Sequence, residues 1–103
     1  MEDIECKFSV GQLINHNRFN YRGVIVDVDP NFQGTEEWYN QVAKSRPPKE
    51  NPWYHVIVDN ASHMTYVAER HLEVDTTGKA IQNPLIADFF SDFQNSEYIT
   101  IIS

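Results

Sequence analysis

The chain has one cysteine, Cys6, so no disulfide can close within it, a usage that fits a reducing compartment. It also lacks a long apolar run; a membrane-spanning helix needs about 20 such residues. The opening Met1-Glu2-Asp3-Ile4-Glu5 is acidic where a secretory signal is basic, and no apolar stretch follows it. These absences predict a cytosolic, cytoplasmic protein with no membrane partner. Positive charge is scarce: 8 Lys and Arg stand against 15 Asp and Glu, for a net charge of −7. The imbalance sits at the ends, with Glu2, Asp3 and Glu5 before the first basic residue and Asp88, Asp92 and Glu97 after the last, Lys79. Residues 6–83 are close to neutral. Affinity for nucleic acid rests largely on Lys and Arg neutralising phosphates. A chain with no basic run is therefore a poor candidate for tight DNA binding as a single copy, although a local patch or a contact multiplied by oligomerisation stays open.

Chemical motifs are sparse as well. The four glycines are scattered and form no phosphate-binding loop. There is no G-x-S-x-G, and Cys6 has no neighbour that would activate it. Glu36-Glu37 is accounted for by a helix start, and Asp27 with Asp29 by a strand running into a turn. His16, His55, His63 and His71 offer metal-ligand chemistry, yet their spacing matches no H-x-x-x-H, H-E-x-x-H or C-x-x-C pattern. The expectation is a protein that is not an enzyme, with no metal and no cofactor, in which His16 and His55 hydrogen-bond within or beside a sheet.

What the sequence does have is a series of short β-branched runs. At 103 residues, with 41% apolar and 13% aromatic side chains, the chain can fold as one domain around one modest core. Phe8 to His16 reads as a first strand bent at Gly11, and Tyr21 to Asp29 as a second, stopped by Pro30. Trp53 to Val58 and His63 to Glu69 read as a hairpin around Asp59-Asn60-Ala61-Ser62. Strict alternation places Val24, Val26, Val28, Tyr54, Val56 and Val58 in the core and Ile25, Asp27 and Asp29 on the opposite face. Thr35-Glu36-Glu37-Trp38 has the form of a helix start, with Thr35 as N-cap, and Arg46-Pro47-Pro48 closes that helix. Asn83-Pro84 opens a second helix on which Leu85, Ile86, Phe89, Phe90 and Phe93 form an apolar stripe. Tyr98 to Ile102 is a strand-like segment or an apolar tail.

Adjacent aromatic pairs stand out for a partner surface. Neighbours on a strand face opposite ways, so one of Trp53 and Tyr54 is expected on an outer face. Trp53, Trp38 and Tyr39, with Tyr98, Ile99, Ile101 and Ile102 of the tail, are the candidate partner-binding residues. Arg18, Arg22, Lys44, Arg46 and Lys49 are the candidate DNA-binding residues.

The blocks Val10-Gly11-Gln12, His16, Tyr21-Arg22-Gly23-Val24-Ile25-Val26-Asp27-Val28-Asp29-Pro30, Glu36-Glu37-Trp38-Tyr39, Asn51-Pro52-Trp53-Tyr54-His55-Val56 and Tyr66-Val67-Ala68-Glu69 with Leu72 resemble the heat-shock protein HspQ family, also called YccV-like or hemimethylated-DNA-binding. The match runs from Phe8 to Leu72 and more loosely into Asn83-Pro84-Leu85 and Phe89-Phe90. The resemblance implies a mainly β fold over residues 1–103: a small antiparallel, SH3-like β-barrel at about 8–74 with one short helix inserted, and a short amphipathic C-terminal helix and tail at about 84–103. It implies a cytosolic stress-response adaptor or specificity-enhancing factor for the Lon protease, promoting degradation of denatured or regulatory proteins such as the replication initiator. It also implies a homo-oligomer, best matched by a trimer. Binding to hemimethylated DNA is the alternative that the family name records.

Overall fold

The computed structural model describes residues 5–101. It is mainly β. Strands β1 (Leu13–His16), β2 (Arg22–Asp29), β3 (Trp53–Val58), β4 (Met64–Ala68) and β5 (Leu72–Val74) form one antiparallel sheet in the order β4-β3-β2-β1-β5. β4 and β5 therefore lie at opposite edges, yet only the 3-10 turn Glu69–His71 separates them in sequence. Five flat strands would span far more than three residues reach, so the sheet curls back on itself. No β4–β5 ladder closes it among the described residues: it is a curled open sheet, not a closed barrel.

A bulge in β2 organises both faces. Pairing with β3 runs Ile25↔Val56 and then Asp27↔His55, skipping Val26. A bulge reverses the facing of everything beyond it. Ile25 and Val28, three residues apart, thus share the inner face with Tyr54, Val56, Val67, Ile14, Phe8 and Leu72. This corrects the alternation expected from sequence: Ile25 is fully buried, whereas Val26 and Val28 are only partly so.

Helix α1 (Glu36–Val42) begins where its capping signal lies: the Thr35 hydroxyl accepts from the Trp38 N–H at 3.1 Å. It ends at Val42, earlier than the prolines require. Tyr39 and Ala43 turn inward onto Trp53 and Ala68, with Phe32, Trp38 and Tyr66 packed around them.

The C-terminal segment differs most from expectation. α2 (Ile86–Phe89) is a single turn whose N-cap position is Leu85, with no side-chain cap; Asn83 Oδ1 accepts the Leu85 N–H at 2.9 Å in the turn just ahead of it. The chain then enters a hairpin, β6 (Phe90–Gln94) and β7 (Glu97–Thr100), turned by Asn95 and Ser96. Both turn residues have positive φ (53° and 62°), the geometry of a tight two-residue hairpin. Here too a bulge, between Phe90 and Asp92, brings Phe90 and Phe93 to one face, where both rings meet Tyr98 at 5.2 and 4.5 Å. Those contacts and the β-ladder win over the helical spacing of the stripe. Tyr98 is buried with Leu13, Val24, Ile57, Ile81 and Phe90, and its hydroxyl accepts the Ile81 N–H at 2.7 Å. The hairpin covers the second face of the sheet. Gly11 admits it: at φ +91°, its missing Cβ is where the Tyr98 carbonyl lies, and its own carbonyl accepts the Tyr98 N–H at 2.9 Å.

Candidate functional site

A groove of about 730 Å³ lies between the end of α1, the loop after β1, and the edge strand β4. Three of the largest exposed apolar side chains of the molecule line it: Phe19 (68% exposed), Val42 (55%) and Met64 (41%). Each comes from a different part of the chain, so no sequence spacing groups them. Its walls are aromatic. Trp38 and Tyr66 meet edge-on at 5.7 Å, and Tyr66 stacks on Trp53 at 5.2 Å. Among the described residues β4 pairs only with β3, which leaves the backbone of its other edge unpaired along this wall.

One end of the groove is built from two stacked imidazoles, His16 and His71, with ring centroids 5.5 Å apart and planes within 8°. His16 is buried, and its Nδ1 accepts the backbone N–H groups of Arg18 and Phe19 at 3.2 and 3.1 Å. That arrangement fixes a neutral ring with the proton on Nε2. Burial, then the neighbouring His71 and Arg18, push its pKa down to about 4. His71 is shifted down as well, by burial and then Arg70 and Arg18, and its Nε2 pairs with the Ser45 hydroxyl at 2.8 Å. His16 is thus a structural acceptor that holds the Arg18-Phe19 loop against the groove.

The five candidate DNA-binding cations are divided among several places. Arg18 and Lys44 line the groove and form no ion pair among the described residues. Arg46 and Lys49 both sit over the Tyr39 ring, at 4.5 and 4.4 Å from its centroid, and Lys49 is also paired with Glu36. Arg22 lies apart, in a knot with Asp59 at 2.9 Å and Asp75 at 3.1 Å, and donates further to the Lys79 carbonyl. Burial works against the charge of Asp75, but the hydrogen bonds from Arg22 and Thr77 outweigh it and hold the carboxyl below its usual range. Arg22 therefore ties β2 to the turn after β3 and the segment after β5.

Of the candidate partner residues, Trp38 is half-buried on the groove wall, while Trp53 and Tyr39 are buried beneath it. Trp53 and Tyr54 are both enclosed, because the curled sheet has a packed cluster on each side at this point. Tyr98 is in the second core and not on a free tail; Ile99 and Ile101 are exposed on the hairpin, and Ile102 lies outside the described residues. Sequence reasoning missed Phe19, Val42, Met64 and His71 as groove residues.

At the groove wall, which His55 itself lines, Asp27, Asp29 and His55 converge, each offering a ligand atom within 4.8 Å of the others. His55 Nε2 lies 3.1 Å from Asp29 Oδ2, which also accepts the Tyr66 hydroxyl at 2.7 Å. Burial, and then this bond to Asp29, raise the pKa of Tyr66 and keep it a donor.

No helix among the described residues is long and apolar enough to cross a membrane. A family model described as YccV-like, hemimethylated DNA-binding protein YccV like, matches residues 6–97, which take in the whole five-stranded sheet, α1, the groove and β6. The match confirms the resemblance read from the sequence blocks, and the chain belongs to the YccV-like family.

Proposed function

We propose that this protein is a non-catalytic, cytoplasmic adaptor for Lon-dependent proteolysis, and that the groove holds exposed apolar side chains of denatured or regulatory client proteins. The observation that carries the reading is the convergence of exposed Phe19, Val42 and Met64 on one aromatic-walled groove. Contiguous exposed apolar surface in a small soluble domain marks a place where something binds. The open edge of β4 adds a second element of recognition: an extended client segment pairs its backbone with that edge and seats alternate side chains in the groove. Clients in this mode are chosen for disorder and apolar side chains, as an adaptor for damaged proteins requires. The Lon link itself rests on the family resemblance. Self-association, with a trimer as the reference state, would use Phe89, Ile99 and Ile101, exposed near and on the C-terminal hairpin.

Hemimethylated DNA is the second reading, favoured by the family description and by Arg18 and Lys44 at the groove. Two observations weigh against its being the main one. Arg22 and Lys49 are neutralised by carboxylates, and the chain as a whole carries −7. Fluorescence-anisotropy titration of an unstructured apolar peptide and of a hemimethylated duplex against the protein at physiological salt separates the two. The adaptor reading expects saturable peptide binding that Val42→Asp and Phe19→Ser reduce at least tenfold, with weak, salt-sensitive duplex binding. Tight duplex binding that outlasts raised salt, with no peptide binding, would reverse the order.

A further inference from the structure

We infer that Asp27, Asp29 and His55 form a binding site for a divalent transition-metal ion, with Zn²⁺ as the fitting representative. The inference stands apart from the adaptor reading and from the groove's apolar lining. The case begins with the bulge in β2. With regular pairing, Ile25↔Val56 would be followed by Val26 opposite His55, and both aspartates would share a face with Ile25 and point at the core. Skipping Val26 sets Asp27 directly opposite His55, and Asp29, two residues on, then shares that outer face. Tyr66, the partner of His55 on β4, completes the row. Bulges next to sites commonly serve to aim a side chain in this way.

The ligand set suits such an ion: one imidazole and two carboxylates, from two adjacent strands in the interior of a five-stranded sheet. Asp27 Oδ1 accepts its neighbour's N–H, from Val28, at 2.9 Å, which leaves Oδ2 free. Between His55 Nε2 and Asp29 Oδ2 lies a hydrogen-bond contact of 3.1 Å, the separation that two ligands of one ion take in a cis arrangement. With the ion between them, the neutral tautomer of His55 that carries its proton on Nδ1 presents the Nε2 lone pair. Asp27 is exposed, so rotation of its side chain closes the remaining distance. The outer groups are already in position. The Tyr66 hydroxyl donates to Asp29 and accepts the Gln33 N–H at 3.0 Å, and the Tyr66 ring packs on the His55 ring at 4.5 Å. Partners of this kind orient ligands in metal sites. Three protein ligands leave at least one position for water.

The test is calorimetric titration of chelator-stripped protein with Zn²⁺ at neutral pH, with the histidine ring resonances followed by NMR. The expected result is one ion per chain with Kd below about 100 µM, with the His55 resonances shifting and those of His16, His63 and His71 holding. His55→Gln and Asp27→Asn should each weaken binding at least tenfold, and His71→Gln should leave it unchanged, with circular dichroism confirming that each variant folds. Absence of saturable binding, unchanged binding in both His55→Gln and Asp27→Asn, or resonance shifts confined to His63 or His71 would overturn the assignment.

Discussion

At the scale of single residues, His16 makes the sharpest statement about pH. Its ring accepts two backbone N–H groups and is buried against His71 and near Arg18, so the folded protein holds it neutral with a pKa of about 4. An unfolded histidine titrates near 6.5. Between those values the unfolded chain binds more protons, so stability rises with pH across that window. Above pH 6.5 the contribution is fully present, and it is lost as pH falls toward 4. From this residue alone we expect roughly 2 kcal/mol of unfolding free energy to be lost over that range. Urea denaturation at pH 7 and pH 4.5 should register the loss, and His16→Gln should flatten it. Arg22 is a second such point. The Asp75 side chain it pairs with is 4% exposed, so Arg22→Ala strands a nearly buried carboxylate. The expected cost is about 2–4 kcal/mol. Arg22→Lys should recover only part of it, because one ammonium cannot reproduce the fork that reaches Asp59, Asp75 and the Lys79 carbonyl.

At the scale of elements, the C-terminal hairpin is a structural part of the domain. Tyr98 joins Leu13, Val24 and Ile57 in a core that β6 and β7 cover. Tyr98→Ala should cost about 3–5 kcal/mol, and deletion of residues 95–103 should lower the thermal midpoint rather than leave the sheet untouched. Gly11→Ala tests the same docking from the other side, since any Cβ there collides with the Tyr98 carbonyl. A midpoint equal to wild type in both point variants would show that the hairpin does not pack as described. These elements also show what was legible beforehand. β3 was read to its end residues, and the Thr35 cap placed α1, because capping chemistry and β-branched alternation are local signals. The two bulged strands were misread for one reason. A bulge converts same-face spacing from two residues to three, as at Ile25 and Val28 or Phe90 and Phe93. In β2 that broke the expected alternation, and in β6 it imitated a helix. The Asn95-Ser96 turn was the available signal for the hairpin. The groove was not legible, because Phe19, Val42 and Met64 meet only through the curl of the sheet. For the same reason, cross-strand register and not sequence spacing brings His55 to Asp27 and Asp29.

At the scale of the whole molecule, charge and shape point the same way. The protein is acidic, two of its five candidate DNA-binding cations are held by carboxylates, and the groove is walled by aromatic and aliphatic side chains. Such a surface suits an apolar polypeptide better than a phosphate backbone. Val42 and Phe19 are exposed and contribute little to the core, so polar substitutions there should change binding while stability stays within about 0.5 kcal/mol of wild type. The most direct test is the rate at which purified Lon degrades a denatured client, measured with increasing amounts of this protein, wild type against Val42→Asp. The wild type should raise the rate in a saturable way, and Val42→Asp should abolish most of that increase while folding normally. Equal stimulation by the two proteins, or no stimulation by the wild type, would contradict the adaptor role assigned to the groove.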